Sequence, residues 1–231
     1  MYTMYSFRLV YQNCITTEPI RSAMKPDQRN MPRRDALKLF GAGTVVGFAG
    51  CSGSLGSGSG SVPDPVDLSG GKFDYQGGME IGAHGGPNGQ IFYAVKEPEP
   101  AHGSASPSTG ESGLAWFHTL VHGLFPYHFD RSGRGWEADV IYVTDYSAVE
   151  WEPSGQPPQL PSPTAAGTFG EATELTYVAD SNVIGGMGPT LVPFSNSSDA
   201  ETFVTDYGGQ SISFENINRE LVSTLQTTEP N

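Results

Sequence analysis

Two methionines sit in the same local setting and supply the first chemical signal in the chain. Met79 and Met187 each follow two glycines, in "GGMEIGAH" and "GGMGPTLVPF", and they are the only methionines after Cys51. A thioether sulfur is a soft donor that suits Cu(I). Glycine-rich turns carry exposed functional groups more often than cores do, so the setting favours ligand roles. A methionine that fills a gap in the core is the alternative interpretation.

Histidines add nitrogen donors to this chemistry, because imidazole suits copper in either oxidation state. The five histidines are His84, His102, His118, His122 and His128. His84 is the first choice as a ligand, since it follows Met79 by five residues in the same turn region. His118 and His122 are the second choice. Their spacing lets two imidazoles on one helix share an ion, and it equally suits the edge of an amphipathic helix.

Common signatures of catalysis are absent from the sequence after Cys51. It contains no Gly-x-Ser-x-Gly elbow, no phosphate-binding glycine loop, no His-Glu-x-x-His and no Cys-x-x-Cys. Catalytic triads assemble in space and escape such a search, so an enzyme stays an alternative. The prediction is a binding protein that is not an enzyme.

Charge is distributed unevenly along the chain. Seven of the 12 basic residues and three of the 25 acidic residues precede Cys51, which leaves 5 basic and 22 acidic residues and a formal charge of −17 for the remainder. A surface of this kind repels nucleic acid and anionic lipid headgroups, so we predict no nucleic-acid partner. Dispersed carboxylates are typical of a halophilic protein that stays soluble in strong brine. No EF-hand run is present.

The N-terminal part resembles an export signal. In "MPRRDALKLFGAGTVVGFAGC" (31–51), Arg33 and Arg34 precede a short apolar run and a small-residue approach to a cysteine. This layout predicts a twin-arginine signal that ends at a lipoprotein cleavage site. Cys51 would then carry the lipid and hold the protein on the extracytoplasmic face of the cell membrane. Met31 is as natural a start as Met1, and residues 1–50 are predicted to be a leader.

The rest of the chain predicts an α+β fold of two related small ββα-type halves with antiparallel strands. A flexible Gly/Ser/Pro tether (51–70) precedes a first half (71–151), a Pro-rich linker (152–167) and a second half (168–231). Segments rich in β-branched and aromatic residues predict the strands. They are 89–95, 138–146, 174–180, 190–195 and 211–214.

Apolar spacing predicts three helices. The first runs through "SGLAWFHTLVHGLF" (112–125), with Ser112 as its cap and His118 and His122 on the edge of its apolar stripe. The second spans 199–207 and stops at Gly208, and the third runs through "ENINRELVSTL" (215–225).

These motifs together resemble the family of nitrous oxide reductase accessory lipoproteins called NosL. The likeness covers about residues 70–220. It is carried by "GGMEIGAHGGPNGQIFYA", "LAWF", "YHFDRSGRGWEADVIYVTDYSAVEW" and "TYVADSNVIGGMGPTLVPFSNSSDAETFVTDYGGQSISFENI". The resemblance implies a membrane-anchored Cu(I) chaperone that passes copper to the copper-site assembly machinery of nitrous oxide reductase in denitrification.

This sequence differs from the family pattern in its main motif, Cys-x-x-Cys-Gly-Met, because it lacks both cysteines. Met79 matches the methionine of the family's Cys-x-x-Cys-Gly-Met turn, and Met187 matches the methionine of the turn in the second half. Asp74 and Gly77 stand where that motif has its cysteines. Two readings follow. Copper is held by the methionines with His or carboxylate help, or the chain is a non-metallated lipoprotein that acts through protein contacts.

Overall fold

The computed structural model describes residues 62–101 and 112–229, all of which belong to one unit, Gly56–Asn231. The predicted export signal with Arg33 and Arg34, the lipid-attachment residue Cys51 and the loop residue His102 lie outside the described residues. None of the helices in the described part of the chain has the length and apolar character needed to cross a membrane.

A four-stranded antiparallel sheet contains the three strands of the first half, and its fourth strand lies after the predicted linker, in the range predicted for the second half. Its strands lie in the order β2, β1, β3, β4, with the ranges β1 (Gly89–Phe92), β2 (Leu114–Phe117), β3 (Val140–Thr144) and β4 (Phe169–Glu171). A π-helical turn (Leu120–Leu124) leads directly into helix α1 (Phe125–Gly133), which lies between β2 and β3 in the chain.

The second half contains a three-stranded antiparallel sheet and a short hairpin. The strands are β5 (Thr176–Ala179), β6 (Ile184–Gly185), β7 (Gly188–Pro189), β8 (Val192–Phe194) and β9 (Gln210–Ser213). The three-stranded sheet has the order β8, β5, β9, and β6 pairs with β7. Pro193 lies on the edge strand β8, where a missing N–H costs least.

Both halves repeat one topology, which confirms the predicted α+β fold of two related halves. In the four-stranded and the three-stranded sheet, the first strand along the chain pairs with both the second and the third strand of that sheet. Helix α1 joins β2 to β3, and helix α2 (Ser197–Tyr207) joins β8 to β9. The repeated unit is therefore ββαβ, since a further strand follows each helix and returns to the central strand.

The predicted helix over 112–125 is wrong in its first part. Residues 114–117 form β2, with Leu114 opposite Phe92 and Phe117 opposite Gly89 of β1. All four residues of "LAWF" are buried, so their apolar run fits a strand covered on both faces as well as it fits a helix stripe. Gly113, at φ +78°, makes the turn that enters this strand, so Ser112 caps no helix.

That correction separates the two histidines that were predicted to share a helix edge. His118 directly follows β2, whereas His122 lies in the π-helical turn. The four-residue spacing therefore does not place them one helical turn apart on a common face, and the argument from helical spacing fails.

The other two helices follow the prediction more closely. Helix α2 buries Ala200 and Phe203 and ends at Gly208, while its cap is Asn196, whose side chain accepts from the Ser198 N–H. Helix α3 (Arg219–Thr227) begins later than predicted. The preceding residues form a 3-10 turn, and Asn218 then caps the helix.

The segment between the halves is packed against both neighbours. Leu160 is buried, and the Pro161 carbonyl accepts from the Gly86 N–H and from the Tyr146 hydroxyl. The main core extends across both halves, because Val222 and Leu225 of α3 join the apolar residues of the first sheet. The boundary at 152–167 stays a prediction.

Candidate metal-binding site

The Met79 turn is a tight hairpin closed by backbone hydrogen bonds. Phe73 and Glu80 form an antiparallel bridge, and the Asp74 N–H donates to the Met79 carbonyl at 2.8 Å. Gly78 takes a φ of +67°, a left-handed value that favours glycine, and its N–H donates to the Asp74 carbonyl. The Met79 side chain is 36% exposed, so its thioether is accessible to a partner.

Strand β2 holds this hairpin in place. The Tyr75 N–H donates to the Trp116 carbonyl at 3.0 Å, and the Trp116 indole N–H donates to the Phe73 carbonyl at 2.8 Å. The rings of Tyr75 and Trp116 meet edge to face, with their centroids 5.5 Å apart. These contacts bring Asp74 next to the residue that follows β2.

The Asp74 carboxylate accepts four hydrogen bonds while buried, at 1% exposure. Its Oδ1 accepts from the backbone N–H groups of Gln76 and Gly77, both at 2.6 Å. Its Oδ2 accepts from the backbone N–H and the ring Nδ1 of His118, both at 2.8 Å. A carboxylate offers about four acceptor positions, so Asp74 has none left for a cation.

His118 is left with one free nitrogen beneath the Met79 turn. Its side chain is 2% exposed, and an ionised carboxylate can only accept, so Nδ1 donates to Asp74. Nε2 is buried and finds no hydrogen-bond partner among the described residues. In the neutral ring this atom carries a lone pair, which is the donor that imidazole offers a metal.

Two glycines surround the Asp74 and His118 pair. A Cβ on Gly123 would lie 2.9 Å from Asp74 Oδ2, so the π-helical turn can approach the carboxylate only because residue 123 has no side chain. A Cβ on Gly77 would lie 3.8 Å from Asp74 Oδ1 and 4.0 Å from His118 Cε1. Position 77 therefore faces the His118 ring and has room for a side chain.

His122 lies close enough to His118 for the two imidazoles to interact electrostatically. Burial lowers the pKa of its half-buried imidazole, and the neighbouring His118 imidazole lowers that pKa further. The structure thus places His118 and His122 in one neighbourhood, by a route other than the predicted helix edge.

His84 lies in a separate neighbourhood, next to the second methionine turn. Met187 occupies the turn between β6 and β7 and is 49% exposed. A Cβ on Gly186 would collide with the Gly85 carbonyl oxygen and would lie 3.4 Å from the Cβ of His84. The exposed His84 loop therefore touches the Met187 turn across about one hundred residues of sequence.

Sequence reasoning about donors missed the role of Asp74. The signal available in the sequence was its predicted position at the first cysteine of the family motif, whereas its contact with His118 is visible only in the structure. Over residues 62–101 and 112–229, no group of three or more His, Cys, Asp or Glu side chains is arranged to hold a metal ion.

The protein is an α+β protein with two repeated halves. Each half has one exposed methionine on a glycine-rich turn, Met79 in the first and Met187 in the second. A sequence profile of the NosL family matches residues 65–222, and the chain belongs to that family. The predicted resemblance is thereby confirmed.

A solved structure is similar to this chain over most of its length. It is the crystal structure of the copper chaperone NosL from Shewanella denitrificans, with 22% sequence identity and a TM-score of 0.49. The match covers 68% of this chain and 96% of that chain. Comparison with curated proteins yields no match.

Proposed function

We propose that this protein is a Cu(I)-binding chaperone, not an enzyme, which supplies copper for the maturation of nitrous oxide reductase. Cys51 would anchor it by a lipid to the extracytoplasmic face of the cell membrane. Membership of the NosL family supports the proposal. The observation that carries it is the exposure of both thioethers on glycine turns, Met79 at 36% and Met187 at 49%.

Exposed sulfur is the useful arrangement for a protein that transfers its metal. Burial of a methionine side chain contributes about 1.5–3 kcal/mol, so a methionine with no other role is stabilising when it lies in the core. Both methionines of the described residues remain at the surface instead. A soft cation bound there is accessible to the incoming ligands of the copper-site assembly machinery.

The two turns differ in the donors that they bring near sulfur. The Met187 turn touches the His84 loop, so an exposed imidazole and an exposed thioether share that surface. The Met79 turn is held by Asp74, whose backbone N–H bonds to the Met79 carbonyl. In each turn, backbone contacts hold the loop while the methionine residue stays exposed.

Anaerobic titration of Cu(I) against a chromophoric chelator tests the proposal. We would use the full chain with Cys14→Ser and Cys51→Ser, which removes both thiols from the measurement. We expect Cu(I) to be retained, and the affinity to fall at least about tenfold when both thioethers are removed by Met79→Leu together with Met187→Leu. Leucine preserves side-chain volume, so folding measured by circular dichroism serves as the control. Full affinity in the double variant contradicts the proposal.

A second function is favoured by the missing thiols. Asp74 and Gly77 occupy the cysteine positions of the family motif, and a thiolate is the strongest soft ligand a protein has. A non-metallated lipoprotein that serves the same machinery by protein contact would fit this loss. Protein that emerges from gel filtration without copper, after loading with one equivalent of Cu(I), would favour this second function.

A further inference from the structure

We infer that His118, positioned by Asp74, is the nitrogen ligand for Cu(I) at the Met79 turn and takes the place of the missing thiolate. The inference rests on the proposed copper function and names a ligand for that site. It starts from one atom: His118 Nε2 is buried, and no described group donates to it or accepts from it. A buried polar atom without a partner costs about 1–3 kcal/mol, which a bound metal would offset.

The hydrogen bonds around His118 match those of a metal-binding histidine. Metal-ligating imidazoles commonly donate their other N–H to a carboxylate, which selects the tautomer and raises the basicity of the ligand. Here Nδ1 donates to Asp74 Oδ2 at 2.8 Å, and the same oxygen accepts from the His118 backbone N–H. Because Asp74 has no free acceptor position, it is a positioning residue and not a ligand.

Asp74 also connects His118 to the backbone of the turn that carries Met79. Its backbone N–H holds the Met79 carbonyl at 2.8 Å, while its carboxylate holds the N–H groups of Gln76 and Gly77. One side chain thus orients both the histidine ring and the turn that carries the thioether. Imidazole and thioether donors suit Cu(I) without any thiolate.

Gly77 lies beside the ring. A Cβ at this position would sit 4.0 Å from His118 Cε1, the ring carbon bonded to both nitrogens, so residue 77 itself places no side chain against that carbon. Its φ lies outside the left-handed region, and a larger residue fits the backbone there. The second cysteine position of the family motif therefore still points at the candidate ligand.

Cu(I) affinity of four variants tests this inference in the full chain that lacks both cysteines. His118→Asn is the main variant, because its amide nitrogen can still donate to Asp74 while Nε2 is removed. We expect a loss of about tenfold to 100-fold in affinity, and a similar loss for Asp74→Asn.

His128→Asn is the matched control, since His128 also has a buried ring nitrogen without a described partner. Gly77→Cys should raise the affinity by at least about tenfold, because it adds a thiolate beside the ring.

A direct readout separates binding from folding. In the chain with His118 intact, addition of one equivalent of Cu(I) should shift the ¹⁵N resonance of His118 Nε2, and X-ray absorption should show nitrogen together with sulfur. Retained copper with no shift at His118, or a loss of affinity in His84→Asn but not in His118→Asn, overturns the inference and leaves the proposed function intact. A chain that binds no Cu(I) at all overturns the proposed function as well.

Discussion

At the scale of single residues, Asp74 shows how one buried side chain can organise its surroundings. Its carboxylate accepts four internal hydrogen bonds, from Gln76, Gly77 and His118. A buried carboxylate is stable only when its acceptor positions are filled, so the residue organises its surroundings. The neighbouring glycine at position 123 is part of the same arrangement, since a Cβ there would press on Oδ2.

His128 on α1 leads to a prediction about pH. Burial lowers the pKa of its imidazole below the ordinary value near 6.5, and the charge of Arg219 on α3 lowers it further. The unfolded chain then binds a proton more readily than the folded one, so stability is complete above about pH 6.5 and falls as the pH drops below that value. Urea unfolding across this range should show a steeper loss for the parent than for His128→Gln. Parallel curves for the two proteins contradict this prediction.

At the scale of elements, the contact between the two glycine loops decides whether His84 and Met187 share a surface. A Cβ on Gly186 meets the Gly85 carbonyl oxygen, which is backbone and cannot rotate away. The β6–β7 hairpin and the His84 loop are therefore pressed together at a position that only glycine permits.

Gly186→Ala tests that contact. We expect a loss of about 1–3 kcal/mol in the free energy of unfolding, because the added methyl group forces two backbones apart. Gly167→Ala is the matched control: a Cβ there has open space within 4 Å, and its φ lies outside the left-handed region. That control should stay within about 0.5 kcal/mol of the parent. Equal effects of the two substitutions in chemical denaturation would show that the loops are not in close contact.

At the scale of the whole molecule, the two halves share their main core. Helix α3 packs on the first half, where the Gln226 side chain donates to the Val121 carbonyl at 2.9 Å. The Arg219 guanidinium lies over the Phe129 ring and donates a hydrogen bond to the backbone carbonyl of Phe129. The repeated topology is therefore visible in the sheets, whereas the main core is built from residues of both halves.

Excess negative charge predicts how the protein responds to salt. The sequence after Cys51 has 22 acidic and 5 basic residues, and within the described ranges Asp130 is the carboxylate that pairs with arginine. Raising NaCl from about 0.1 M to about 1 M shortens the screening length from about 10 Å to about 3 Å. We expect stabilisation of at least about 1 kcal/mol, or about 2–4 °C in the thermal midpoint.

The control for salt removes charge from one helix. Glu201→Gln with Asp206→Asn neutralises two exposed carboxylates of α2 and should reduce the dependence on salt. A thermal midpoint that stays constant or falls as NaCl rises would contradict the prediction of a halophilic protein.

The sequence by itself determined the residue types and most of the elements. Runs of β-branched and aromatic residues marked five strands, and apolar spacing marked α2, because both are local patterns of periods 2 and 3.6. The same local patterns identified the two Gly-Gly-Met turns. They predicted β2 wrongly, since a four-residue strand buried on both faces has no period of its own.

Only the tertiary structure decided which donors meet. Asp74 and His118 lie 44 residues apart in the chain, and His84 and Met187 lie about one hundred apart. Neither contact therefore produces a periodic pattern in the sequence. Strand pairing brings the first two together, and a close approach of glycine backbones joins the loops that carry the other two. Hydrogen bonding of a buried carboxylate and steric contact between backbones are properties of the folded chain, because both require segments that are distant in sequence to be packed together.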